Sequence, residues 1–242
     1  SPTSQASERG RLAFWSEQIG ATRLDQVTAE TVSDTLRRLA GVSNATRNRY
    51  KARLSAVYGA AADWHWVPAG TNPARQVKQA RESAGRLRYL DDAELKRFLD
   101  SCRQSKTPGF LLFVSLLLAT GCRRGELRSL KWKNLDLAAG VVHFKDTKNK
   151  QPRSIPVTEP ALGELREWAK VRRLSSKLVF PGVNGKQPFD FTRQFRGAVK
   201  RAGLENFRLH DLRHTCGSYL AMAGVPIRTI AEILGHKSLE MT

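Results

Sequence analysis

Three short segments carry side chains whose types and spacing could do chemistry. In the first, Ala119-Thr120-Gly121-Cys122-Arg123-Arg124-Gly125-Glu126-Leu127, a strongly apolar stretch stops at a glycine and Arg123 opens the next element. On a helix Glu126 shares a face with Arg123 and would hold its guanidinium in place. An ordinary surface ion pair has the same spacing. The second, His210-Asp211-Leu212-Arg213-His214-Thr215, puts His210 at i, Arg213 at i+3 and His214 at i+4. Two histidines one helical turn apart invite a zinc reading. Hydrolytic zinc chemistry wants a third ligand and a carboxylate base, no acid-rich partner motif is evident, and Arg213 between the ligands disfavours a cation. No metal is therefore expected. The third, Ile233-Leu234-Gly235-His236-Lys237-Ser238, reads as a helix ended by glycine with a histidine just beyond it. A histidine there is also an ordinary partner for the helix dipole.

The chain that must position these groups has 242 residues, of which 40% are hydrophobic, enough for real cores in one large domain or two small ones. Its longest apolar run, Phe110 to Ala119, is too short to cross a bilayer, and the charged N-terminus does not read as a signal peptide. Three widely spaced cysteines, Cys102, Cys122 and Cys216, argue for a reducing compartment and against a disulfide framework. Lys and Arg number 41 against 22 acids, a formal net charge of +19. Self-repulsion on that scale points to a polyanionic partner, and nucleic acid is favoured over a membrane surface because no long basic amphipathic helix is evident. Residues 1–85 carry +5 of the excess and residues 86–242 carry +14.

Residues 1–85 read as helical. Thr28 caps a helix with Val32, Leu36 and Leu39 on one face, and a longer helix runs from about Asn44 to Trp66 with the stripe Tyr50, Leu54, Val57, Tyr58, Ala61. Arg47, Arg49, Lys51 and Arg53 flank that stripe, as phosphate contacts or as snorkelling side chains on a solvated face. Residues 75–88, with Lys78, Arg81, Arg86 and Arg88, read as a basic linker. A second domain then opens at Leu90-Asp91-Asp92-Ala93-Glu94-Leu95, a capping box with a hydrophobic staple. The apolar helix 108–119 is expected to be buried all round. Val141–Lys145 and Arg153–Val157 have strand character and suggest an antiparallel hairpin, followed by helices near 159–172, 190–202, 212–223 and 227–234. The expected fold class is mainly α with a small antiparallel sheet (α+β).

In this order the three segments closely resemble the boxes of the tyrosine recombinase (phage integrase) family. Its T-G-x-R-x-x-E matches Thr120, Gly121, Arg123 and Glu126, and its H-x-L-R-H-T matches His210, Leu212, Arg213, His214 and Thr215. Its L-G-H matches Leu234, Gly235 and His236, and its hairpin lysine falls on Lys148, with Lys145 and Lys150 close by. The stretch Leu178-Val179-Phe180-Pro181 also resembles the family, as does a small helical domain closing on Trp66, Asn72 and Pro73.

The resemblance implies a core-DNA-binding domain at 1–85 and a catalytic domain at 86–242. It implies site-specific cutting and rejoining of double-stranded DNA through a 3′-phosphotyrosyl link, without cofactor, metal or ATP. Arg123, Arg213, His210, His236 and Lys148 would be catalytic, with Glu126 and His214 in support; Arg47, Arg49, Lys51, Arg53, Lys78, Arg81, Arg86 and Arg88 would contact DNA. A tetramer on paired sites, weakly associated or monomeric without DNA, and a cytoplasmic, nucleoid-associated location are expected. One departure stands out. The family's tyrosine nucleophile lies nine residues after the third-region histidine, three positions beyond Thr242, and Tyr50, Tyr58, Tyr89 and Tyr219 do not occupy that place. Residues 1–242 are therefore expected to form the pocket of a C-terminally truncated enzyme, without its nucleophile and inactive alone. The alternatives are a non-cleaving DNA-binding module or a type IB topoisomerase-like enzyme.

Overall fold

The computed structural model describes residues 2–83, 87–145, 152–236 and 238, with side chains from residue 5 onward. It divides into two compact units, Ser1–Arg86 and Leu87–Thr242.

The first unit is built from α1 (Pro2–Ile19), α2 (Ala29–Arg37), α3 (Asn44–Asp63) and the short α4 (Pro73–Gln76). Each later helix starts where a side chain satisfies a free backbone N–H: Thr28 accepts from Thr31, Ser43 from Thr46, and Asn72 from Arg75. Trp15, Val32, Leu36, Leu54, Tyr58 and Ala61 form the core. Its two polar tips are answered, Trp15 Nε1 donating to the Tyr50 carbonyl at 2.9 Å and the Tyr58 hydroxyl to that of Leu24 at 2.9 Å. Helix α1 is not marked by periodicity, because its large apolar residues, Leu12, Phe14, Trp15 and Ile19, are confined to its second half. The expected linker is shorter than 75–88. Asn48 pairs with both backbone groups of Ala80, at 2.8 and 3.0 Å, and Asn44 donates to the Arg81 carbonyl at 2.8 Å, so residues 80 and 81 are bound to α3.

The second unit holds α5 (Asp92–Arg103), α6 (Phe110–Thr120), α7 (Arg124–Arg128), strands β1 (Leu135–Asp136), β2 (Val141–Phe144) and β3 (Arg153–Pro156), then α8 (Ala161–Lys170), α9 (Thr192–Arg201), α10 (Asp211–Met222) and α11 (Ile227–Leu234). Asp91 and Glu94 make the expected capping box of α5. The sheet is antiparallel in the order β1-β2-β3, with Phe144 opposite Arg153 and Val142 opposite Ile155. The mainly helical fold with a small sheet is thus the one expected, with β1 an addition too short to read from a two-residue pattern.

Helix α6 runs through the core against α5, α8 and α10. It is not buried all round: Ala119 is exposed, and Ser115, Leu118 and Ala119 wall a groove of about 520 Å³ with Leu95, Leu99, Tyr219 and Leu220. Gly121 ends α6 at φ +56°, and a Cβ there would fall 2.4 Å from Leu234 Cδ2 and 3.0 Å from Cys216 Sγ. Only glycine both takes that turn and lets α10 and α11 approach it. No described helix is long and apolar enough to cross a membrane. The three cysteines are free and buried, and burial pushes their thiols up to about 11 to 12, so they are inert packing groups.

Candidate phosphate-binding pocket

The three sequence segments converge within the second unit. Arg213 projects from α10 and is 4% exposed; its Nη1 donates to the Gly121 carbonyl at 2.8 Å. Arg123, at the N-cap of α7, sends Nη2 to the Gly235 carbonyl at 2.9 Å and Nη1 to Glu126 Oε1 at 3.1 Å. Each guanidinium is therefore anchored on the carbonyl of a left-handed glycine that closes a helix, α6 for Arg213 and α11 for Arg123. Those carbonyls lie at the negative ends of the helices, where a cation is stabilised.

Glu126 is nearly buried and serves two cations. Its Oε2 accepts the Arg123 backbone N–H at 2.9 Å and Arg153 Nη2 at 2.6 Å. Burial raises its carboxyl, but the bonds from Arg153 and Arg123 outweigh that and hold it below the usual carboxylate range. It accepts hydrogen bonds from the guanidiniums of Arg123 and Arg153 but not from that of Arg213, and one carboxylate against these three cations leaves an excess of positive charge. Arg213 responds: burial first, then Arg123 and Arg153, lower it to about 10, which still leaves it charged at neutral pH.

The histidines complete the wall. His210, immediately before α10, meets the His214 ring edge-on at 5.2 Å. Desolvation, His214 and the guanidiniums of Arg213 and Arg123 lower His210. The same causes, with Arg213 and Arg123 next after burial, lower His236 to about 4. Both are neutral at pH 7 and can donate or accept a single hydrogen bond. Among the described residues no three His, Cys, Asp or Glu side chains stand close enough to hold a metal. The motif threonines are structural: Thr120 donates to the Leu116 carbonyl at 2.6 Å, and Thr215 donates to Asp211 O at 2.9 Å while accepting the Leu90 N–H at 3.1 Å.

The other sequence candidates fare differently. Lys148 and Arg86 lie outside the described residues. Arg88 does not stand free: it grips both Glu94 oxygens, at 2.7 and 2.6 Å, and lies over the Phe207 ring. Arg47 donates to the carbonyls of Leu36 and Leu39 and to Asn44, and Arg53 pairs with Glu8. Both therefore tie the first unit together. Arg49 has no hydrogen bond or ion pair among the described residues and is exposed, as are Lys78 and Arg81, while Lys51 is half-buried beside Lys78 in a small basic cleft. Tyr219 lies on α10, but its hydroxyl donates to Asp92. The residue that sequence reasoning missed is Arg153. Its signal was present, since alternation in the expected strand sets Arg153 on the same face as Ile155 and Val157, and a cation on an apolar face needs a buried carboxylate.

A model of the phage integrase family matches residues 88–242, the whole of the second unit but for its first residue. The chain belongs to the phage integrase family. Among curated relatives it is 32% identical over 193 residues to the integrase of Salmonella phage P22, which covers 75% of this chain and 48% of that protein. It is 31% identical to a shufflon-specific DNA recombinase of Escherichia coli, over 73% of this chain and 44% of the relative. The chain thus spans about half the length of these relatives. Among solved structures, the Tn1549 transposon integrase in complex with transposon right end DNA superposes with a TM-score of 0.85 at 22% identity, over 98% of this chain and 87% of the other. A lambda integrase dimer bound to a core site superposes at 0.80 and 19%, over 100% and 90%. These two likenesses are of fold.

Proposed function

We propose that this chain is the DNA-binding and phosphate-activating part of a site-specific DNA recombinase that cuts and rejoins double-stranded DNA through a 3′-phosphotyrosyl link. The observation that carries the reading is the pair Arg123 and Arg213, each anchored on a helix-ending glycine and sharing a pocket with one buried carboxylate and two neutral histidines. A phosphodiester is already anionic, and attack on phosphorus builds a second charge in the trigonal-bipyramidal transition state. Guanidiniums stay protonated and offer paired donors to the non-bridging oxygens, so they stabilise that charge without moving. Neutral His210 and His236 hydrogen-bond the same phosphate or pass a proton at its oxygens. Lys148, between β2 and β3 in the sequence, would protonate the departing 5′ oxygen as the tyrosine oxygen bonds to phosphorus. That tyrosine is not among residues 1–242 on this reading, so residues 1–242 bind DNA without cutting it. Because the phosphotyrosyl bond keeps the energy of the phosphodiester, attack by a 5′ hydroxyl reseals the strand without ATP. A tetramer on paired sites would perform the exchange.

The test begins with selection of bound duplexes from a random pool by residues 1–242, which supplies the site. A suicide substrate carrying that site is then mixed with the full-length gene product. The expected result is a denaturant-resistant protein–DNA adduct joined at a 3′ phosphate through tyrosine. Tight binding with no adduct would make the protein a binder only, and relaxation of supercoiled DNA with no site requirement would place it with type IB topoisomerases.

A further inference from the structure

The recombination reading leaves Arg153 without a role, yet it is one of the most constrained side chains in the second unit. Its side chain is 9% exposed and lies with its guanidinium carbon 4.8 Å from the centre of the Phe144 ring, its direct cross-strand neighbour. Nη2 reaches Glu126 Oε2 at 2.6 Å, shorter than the 3.1 Å contact from Arg123 to the same carboxylate. Nε donates to the Ile233 carbonyl at 3.1 Å, in the last turn of α11. Arg123 closes the circuit by bonding both Glu126 and the Gly235 carbonyl. The result is a ring that runs from Arg153 to Glu126, to Arg123, to the turn 233–235 and back to Arg153.

We propose that Arg153 is a positioning residue of the phosphate pocket, fixing Glu126 and the turn that carries His236 in the single arrangement that aims Arg123 and His236 at one phosphate. The proposal rests on the reading of the pocket given above. Three features give Arg153 this task rather than phosphate contact. Two faces of its fork are engaged, on Glu126 and Ile233, and its ring stack on Phe144 holds the guanidinium plane. Gly235 leaves it no spare room, since a Cβ there would fall 3.1 Å from Nη1. It also stands at the start of β3, the strand that follows Lys148 in the sequence. A one-residue slip of β3 against β2 would swing Arg153 to the outer face and open the ring, so hairpin register and pocket geometry are coupled. Lysine cannot substitute fully, because one ammonium does not span a carboxylate and a carbonyl with fixed fork geometry.

Arg153→Gln and Arg153→Lys are compared with the wild type and with Lys170→Gln, a change in an exposed ion pair. In residues 1–242 the imidazole of His236 is titrated by NMR; in the full-length protein, DNA affinity and adduct rate are measured separately. For Arg153→Gln the expected result is affinity within about threefold and an adduct rate lower by roughly a hundredfold, the size of a misplaced catalytic group. His236 should titrate nearer its ordinary value, because its turn is released. Arg153→Lys should recover part of the rate through Glu126, while His236 still titrates nearer its ordinary value than in the wild type because the bond to Ile233 is lost, and Lys170→Gln should match the wild type. A wild-type His236 titration, or a rate within about twofold of wild type in Arg153→Gln, overturns the proposal, as does a parallel loss of affinity and rate. If Arg153→Gln does not fold, Arg153→Lys decides by the same two readouts. If the wild type forms no adduct, the recombinase reading fails, and the His236 titration still decides the role of Arg153.

Discussion

Arg47 in the first unit and Arg213 in the second begin from the same local situation: each guanidinium donates to backbone carbonyls at or just past the C-terminus of a neighbouring helix. They end in opposite roles. Arg47 has its donors answered by Leu36, Leu39 and Asn44, and it lines an open cleft with Lys51 and Lys78 while staying half-buried. Arg213 has one carbonyl partner, is almost fully buried, and has Arg123 and Arg153 close enough to lower its pKa. An arginine whose donors are met by its own chain is a strut. One that is buried beside other cations has its guanidinium pKa lowered by burial and by those cations, a cost that, on the proposed reading, an incoming anion would relieve.

The sharpest way to break that contrast is Arg213→Lys in the full-length protein. Charge is kept and the planar donor lost, so DNA binding should change little while adduct yield on a suicide substrate falls by about a hundred- to a thousandfold. Arg124→Lys, next to Arg123 but exposed and hydrogen-bonded to Thr192, should be tolerated. Equal losses at Arg123→Lys and Arg124→Lys would mean that charge, not geometry, matters, and the pocket reading would fail.

Arg47→Ala should behave in the reverse sense. Losing charge-assisted bonds to two carbonyls should cost the fold about 1.5–3 kcal/mol in urea unfolding, with the adduct rate of the folded protein unchanged. A normal unfolding midpoint with weakened DNA binding would return Arg47 to the DNA-contacting set.

A smaller effect separates the units by pH. His236 and His210 have folded pKa values below the unfolded value, so the unfolded chain binds more protons as pH falls below about 6.5. Stability contributed by the neutral imidazoles is present above that pH and should be lost progressively towards about pH 4, the folded value of His236. Urea midpoints at pH 7 and pH 5 should therefore differ, and His236→Asn should reduce the difference. An unchanged pH slope in that variant would show that the imidazole is not held neutral by its neighbours.

The smallest effect concerns the free surface cations. DNA binding by residues 1–242 should weaken steeply with salt, and Arg49→Gln or Lys51→Gln should each reduce the logarithmic slope by about one. Arg47→Gln, its donors already engaged, should leave the slope as it was. A flat salt response in the parent chain would remove the case for a nucleic-acid partner.

Much of this was legible in the residue order. Helices α2, α3 and α5 announce themselves through Thr28, the stripe from Tyr50 to Ala61, and the Asp91–Glu94 capping box, because capping and periodicity act within a few residues of sequence. The same holds for Gly121 and Gly235, whose positions after apolar helices demand left-handed turns. The membership of the pocket in Arg123, Glu126, His210, Arg213 and His236 was also readable, as a motif. What only the tertiary structure decided was which arginines are struts and which are poised. Arg47 and Arg88 looked like DNA contacts until α2 and Glu94 were seen to take up their donors. Arg153 carried no motif, and its role exists only because β3, α7 and the end of α11 meet. Local sequence sets backbone geometry through short-range bonds, whereas a side chain's electrostatic role depends on burial and on partners 27 and 80 residues away, which only the folded chain brings within reach.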